Sequence, residues 1–161
     1  MTVARVVLMC GPAGSGKSTY ARRLERSGFV RLSIDEAAWA AGYREQPLAE
    51  PVRLAFEQEV KDRLVALTEA GRDVVVDLSF WSRQSRDAYR ALLAPTGVVP
   101  ETVYLATPRH VALGRVAARD GATADDVQLD EATAALYFDH FEPPTPDEGP
   151  LTIVTGVDPH G

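Results

Sequence analysis

The chain has 161 residues, 45% of them hydrophobic and 25% charged, with a formal net charge of −6. This length supports one domain, residues 1–161, that buries its own core without metals or disulfides, and the composition is that of a soluble globular protein rather than a disordered or membrane one. The acidic balance offers no broad basic face for a phosphate backbone, so nucleic-acid partners are disfavoured. The stretch before Gly11 has too few apolar residues for a secretory leader, and no run reaches membrane-spanning length. Together with the single Cys10, these features predict a soluble cytoplasmic protein without a membrane partner.

In chain order, apolar runs at Val3 to Met9, Phe29 to Ile34, Val74 to Leu78, Thr102 to Ala106 and Leu151 to Val154 read as strands. Several are nearly continuous rather than alternating, which is the pattern of strands covered on both faces. Between them come helical patterns. Lys17 to Arg26 follows the first strand, and Pro51 to Ala70 carries Val52, Phe56, Val60, Leu64 and Leu67 on one stripe, with Gly71 as its stop. Ser82 is placed to cap a helix to Leu93, with Tyr89, Leu92 and Leu93 facing inward. Pro108 suits the first turn of a helix to about Arg119, and Asp130 the cap of a last helix bearing Leu136, Tyr137 and Phe141. Pro143 to Pro150 reads as a surface connection. Alternating strands and helices predict an α/β fold with a parallel, doubly wound sheet, whose ligands bind beyond the carboxyl ends of the strands.

One such end carries Gly11-Pro-Ala-Gly-Ser-Gly-Lys-Ser18, the pattern G-x-x-x-x-G-K-[ST] between a strand and a helix. Glycines at 11, 14 and 16 let the backbone N–H groups of Gly11, Ala13, Gly14, Ser15 and Gly16 turn toward phosphate oxygens, reinforced by the helix N-terminus. Lys17 reaches the β- and γ-phosphates in this pattern, Ser18 places its hydroxyl on Mg²⁺, and the Thr19 backbone supports the α-phosphate. The expected ligands are ATP and Mg²⁺. GTP is disfavoured because no Asn-Lys-x-Asp stretch follows the fourth strand.

Val74-Val75-Val76-Asp77 has the form of a Walker B strand, with Asp77 holding Mg²⁺ directly or through water, or serving as a simple turn former. Asp35 follows the second strand, where it either takes the proton of an acceptor hydroxyl or caps the segment after it. Arg115 and Arg119 are four apart on an expected helix and share a face suited to phosphate oxygens, within a short lid at about 108–128. Arg83 and Arg86, near the same edge of the sheet, read as surface charge rather than as acceptor or phosphate contacts. Trp39, Trp81 and Tyr43 are candidates for an acceptor pocket or for packing, and His110 and His140 have no ligand-like spacing.

Four stretches carry a wider resemblance: Gly11 to Thr19, Ser33-Ile-Asp35, Val75-Val-Asp-Leu-Ser-Phe-Trp-Ser-Arg83, and Val103-Tyr-Leu105 followed by Arg115 and Arg119. With these the chain resembles the small bacterial P-loop kinases, the group of zeta toxin, chloramphenicol phosphotransferase, gluconate kinase and the kinase domain of polynucleotide kinase. It is most similar to kinase-like members that share the ending Phe141-Glu-Pro-Pro144 with Asp147-Glu148. The resemblance implies a three-layer P-loop NTPase fold, a sheet in the order 2-3-1-4-5, a base at Asp35 and lid arginines at Arg115 and Arg119. The expected activity is transfer of the γ-phosphoryl of ATP to a hydroxyl of a small molecule. Two alternatives stand beside it, a polynucleotide 5′-hydroxyl kinase and a nucleotide-binding switch. Ala38, where polynucleotide kinases carry an arginine, weighs against the first. The short, acidic segment around Asp125 and Asp126 weighs against a large lid.

Overall fold

The computed structural model describes residues 3–44, 47–124 and 128–155. Five strands, β1 (Val6–Cys10), β2 (Val30–Leu32), β3 (Val74–Asp77), β4 (Glu101–Leu105) and β5 (Leu151–Val154), form one sheet in the order β2-β3-β1-β4-β5. All neighbours are parallel. The intervening helices are α1 (Lys17–Arg26), α2 (Ile34–Ala40), α3 (Glu50–Glu69), α4 (Arg83–Leu93), α5 (Arg109–Ala117) and α6 (Glu131–Asp139). This is the parallel α/β sheet expected from the sequence patterns, in the three-layer arrangement and strand order that the resemblance to small P-loop kinases implied.

Alternation along the central strands sorts the core into two layers, because successive side chains leave a strand on opposite faces. Val6, Leu8 and Cys10, with Val74 and Val76 beside them, pack on Val60 and Leu64 of α3 and on Tyr89 and Leu93 of α4. Val7 and Met9, with Val75, Val103 and Leu105, pack on Ala21 and Leu24 of α1. Both faces being covered, β1 is buried at all five positions and reads as a continuous apolar run. The helix starts follow local chemistry. Ser82 accepts from the Ser85 N–H at 3.1 Å, and Asp130 accepts from that of Thr133 at 3.2 Å.

Several sequence expectations change. The first strand begins at Val6 rather than Val3, whose side chain lies 72% exposed outside the core. The second ends at Leu32, because Ser33 Oγ accepts from the Glu36 N–H at 3.2 Å and opens α2 at Ile34. Asp35 is therefore not the cap; it stands in the first turn of α2.

Arg86, expected at the surface, is fully buried. It lies on the inward stripe of α4 with Tyr89 and Leu93, so burial follows unless the helix rotates away from the sheet. Its guanidinium reaches Glu148 at 2.8 and 3.3 Å and the Phe80 carbonyl at 2.7 Å, while Arg90 adds a 3.3 Å contact to Glu148. The Pro143 to Pro150 connection thus inserts a carboxylate into the protein. Burial alone would raise the Glu148 carboxyl, but hydrogen bonds from Arg86, the Thr145 N–H and Arg90 bring it from 4.5 down to about 2.

A carboxyl lowered by folding contributes stability that is complete above its unfolded value and is lost as pH falls toward its folded value. Glu148→Gln is expected to cost about 3–5 kcal/mol near neutrality, since it leaves the buried guanidinium of Arg86 without its counter-charge. Urea unfolding of both proteins checks this: the gap between them narrows as pH falls from about 4.5 to about 2. A gap that is constant over that window disproves the assignment.

Candidate active site

β1 ends at the sheet centre, and the chain turns at once through Gly11 to Gly16 into α1. The Gly11 N–H donates to the Ser79 carbonyl at 3.0 Å, which ties this turn to the segment leaving β3. Gly14 and Gly16 have φ of 80° and 96°, a region that favours glycine. A Cβ on Gly14 would also run into the Ala112 carbonyl, so the loop and α5 touch backbone to backbone. Thr107, just beyond β4, donates its hydroxyl to the Ser15 carbonyl at 2.7 Å. Gly16 caps α1 without a side chain, so the cap residue itself offers no acceptor to the first-turn N–H groups. Such an end attracts anions through its donors and its partial positive charge.

Along this end lies a groove of about 430 Å³ lined by Gly14, Gly16, Lys17, Ser18, Thr19 and Arg22 on one side and by Arg115, Arg119 and Thr123 on the other. Arg115 donates to the Gly14 carbonyl at 3.3 Å, which holds it over the loop. Arg119 follows the end of α5, yet still faces the groove with Arg115. Of the segment 108–128 expected as a lid, Arg115, Arg119 and Thr123 line the groove, while positions 125–127, including Asp125 and Asp126, lie outside the described residues.

On the far side of Lys17 lies a larger cleft of about 580 Å³. Asp35 lines it from α2, Asp77 from the end of β3, Arg53 and Glu57 from α3, and Leu136 and Tyr137 from α6. Its floor is the turn Ser79 to Trp81. Phe80 there has φ of 48°, strained for an aromatic residue. Its carbonyl is held by Arg86 at 2.7 Å and faces the Cys10 thiol at 3.6 Å, and its ring meets Tyr89 edge to face at 4.8 Å. The Trp81 carbonyl accepts from the Glu142 N–H at 2.8 Å, which joins the far wall to the same turn. Burial pushes the Cys10 thiol up to about 12, against the opposing influence of Arg86.

Asp77 is buried beside Lys17 at the edge of the larger cleft. Its Oδ2 takes two N–H groups of Arg31 at 2.9 and 2.6 Å. Its Oδ1 is buried without a hydrogen bond among the described residues and lies 3.8 Å from Lys17 Nζ. Arg31 in turn reaches Glu36 on α2, so one guanidinium links the Asp35 helix to the end of β3. A buried carboxylate oxygen without a hydrogen-bond partner beside Lys17, with Ser18 on the groove, suits a cation shared with phosphates. Among the described residues no cluster of three or more His, Cys, Asp or Glu could hold a metal alone. Mg²⁺ bound with a nucleotide needs no such cage, because phosphates and water supply most of its oxygens.

The structure brings Lys17, Ser18, Thr19, Arg115 and Arg119 together around one groove, and Lys17, Asp35 and Asp77 around the other. Trp81 lines the larger cleft, whereas Trp39 packs under Arg44 at 3.9 Å and Tyr43 against Phe56 at 5.8 Å. Arg83 pairs with Asp147 at 2.9 Å. Sequence reasoning passed over Arg31, Arg53, Glu57 and Thr107. Arg31 alone left a signal, as a charge inside an apolar strand run, where burial demands a partner.

The profile of the AAA domain family matches residues 6–144. No curated protein matches the sequence. Among solved structures, a gluconokinase from Sinorhizobium meliloti 1021 is 20% identical with a TM-score of 0.67, over 99% of this chain and 86% of that one. The Mycobacterium tuberculosis APS kinase CysC, in complex with AMPPNP and APS, is 20% identical with a TM-score of 0.62, over 97% and 90%. A chain of the Pnkp1/Rnl/Hen1 RNA repair complex is 16% identical with a TM-score of 0.75, over 87% of this chain and 44% of that one. At these identities the likeness is one of fold.

Removing one partner of a buried pair strands the other charge. Arg31→Leu is expected to lower stability by about 3–5 kcal/mol, and the double variant Arg31→Leu with Asp77→Leu to recover most of the loss. Chemical denaturation of the two checks this; a double variant no more stable than the single one refutes the pairing.

Proposed function

The chain belongs to the AAA domain family, and we propose that it is an ATP- and Mg²⁺-dependent kinase that moves the γ-phosphoryl group to a hydroxyl of a small molecule. One observation carries this reading: Lys17 borders both spaces, the phosphate-sized groove on the loop and the larger cleft with Asp35. A pure nucleotide switch needs the first space alone. A transferase needs two that meet where the phosphoryl group changes hands.

The residues divide by position. The open N-terminus of α1, with the N–H groups of Gly14 to Thr19, suits the phosphates of ATP, and the Lys17 ammonium suits the β- and γ-oxygens. Ser18 and the Oδ1 of Asp77 would hold Mg²⁺, Asp77 directly or through water. Bound there, the ion neutralises phosphate charge and orients the γ-group. Asp35 accepts the hydroxyl proton as the acceptor oxygen forms its bond to the γ-phosphorus. The bond from that phosphorus to the bridging oxygen breaks, and ADP departs with the electron pair. Arg115 and Arg119 counter charge that spreads over the phosphate oxygens, a role for which a permanently charged fork is suited.

Asp35→Asn is expected to lower acceptor-dependent ADP release by about 10²–10⁴-fold, the usual contribution of a general base, and to leave Mg·ATP-analogue affinity within a factor of about two. Lys17→Ala weakens nucleotide affinity itself. Coupled ADP assays and fluorescent-nucleotide titration measure the two quantities. Equal turnover in Asp35→Asn and wild type assigns the base elsewhere.

A further inference from the structure

Resting on the kinase reading of the Asp35 cleft, we infer that its acceptor is an uncharged alcohol with an apolar, aromatic-sized body, and not a sugar acid, a nucleotide or a polynucleotide end. Two independent features of the cleft carry this.

The first is apolar surface without a protein partner. The large hydrophobic side chains exposed among the described residues are Val3, Tyr43, Leu54, Trp81, Val99, Leu136, Tyr137 and Ile153. Three of these eight, Trp81, Leu136 and Tyr137, converge on this one cleft from the β3 turn and from α6. Single exposed apolar residues are ordinary, but three on a concave wall of about 580 Å³, beside buried Phe80 and Tyr89, form a receptacle for an apolar body. Phe80 is held there in a strained conformation by Arg86, so this wall is built rather than incidental.

The second is charge. The lining carries two permanent cations, Lys17 and Arg53, against three carboxylates, Asp35, Glu57 and Asp77. Lys17 stands at the phosphate end. Arg53 is paired to Glu57 at 2.9 Å, and Glu57 has a second cation, Lys61, at 3.7 Å. Nearby guanidinium groups are engaged as well, Arg31 by Asp77 and Arg83 by Asp147. An anionic acceptor entering here would lose hydration, find every one of these cations except Lys17 already held by a carboxylate, and face the carboxylate of Asp35, which selects against it even where its shape fits. A neutral hydroxyl meets no such penalty and is oriented by its hydrogen bond to Asp35. Transfer balances as above: the alcohol proton goes to Asp35, its oxygen gains the phosphoryl group, and ADP leaves.

Isothermal titration of the whole chain with Mg·ADP present, using naphthylethanol, gluconate and an oligodeoxynucleotide with a free 5′-hydroxyl, decides the matter. Naphthylethanol is expected to bind at least about tenfold more tightly than either anion, a difference of one decade in Kd. Leu136→Asp, at a half-exposed position, is expected to weaken it at least about fivefold, with the melting temperature monitored to confirm folding. Gluconate or the oligonucleotide binding as tightly, no binding of naphthylethanol, or an unchanged affinity in Leu136→Asp each overturns the inference. A separate ³¹P measurement with Mg·ATP distinguishes the two proposals. Naphthylethanol that binds without being phosphorylated sinks the kinase reading and leaves the ligand class, whereas gluconate phosphorylated in its place does the reverse.

Discussion

With Gly16 in the left-handed region, α1 begins with no side chain across its first N–H groups, and the surroundings keep that end rigid and open. β1 delivers the loop from the most buried position in the sheet. The Ser79 carbonyl holds Gly11, the Thr107 hydroxyl holds Ser15, and α5 closes on Gly14 at a distance only glycine permits. An anion site made of backbone donors works only if those donors cannot relax toward another acceptor. These contacts come from the ends of β3 and β4 and from α5, so the site's precision is a property of the surrounding α/β layers rather than of the loop alone.

Buried charge is the second organising element. Arg31 with Asp77, and Arg86 with Glu148, are ion pairs whose side chains are almost wholly removed from water. Such pairs seldom add net stability over apolar replacements of the same shape, since desolvation offsets their attraction. Their value here is positional. Arg31 fixes which oxygen of Asp77 stays open, and Arg86 fixes the turn that forms the cleft floor.

The strands, the helices between them and the phosphate loop were legible because they rest on short-range patterns: apolar runs, caps at Ser82 and Asp130, and an eight-residue motif; the strand order followed only from the resemblance to the small P-loop kinases. The acceptor cleft was legible only in part. Asp35 and Trp81 stand close in sequence to recognisable strand ends, whereas Arg53 and Glu57 sit on the solvent side of an ordinary helical stripe. Arg86 looked like surface charge because its partner lies 62 residues away, in a Pro-rich connection that gives no periodic signal. The cap of α2 went to Ser33 instead of Asp35 by a shift of two residues, where side-chain geometry decides and composition does not.

Cys10 adds a consequence of a different kind. Its thiol is wholly enclosed between β1 and the Phe80 turn, and with its ionisation pushed up to about 12 it offers reagents almost no thiolate at neutral pH. Alkylation must therefore wait until the strand end parts from that turn, the same joint that floors the cleft. As the sole sulfhydryl of the chain, it is a built-in clock. Its labelling rate counts how often the two halves of the site let go of each other, and any ligand that bridges them will slow it.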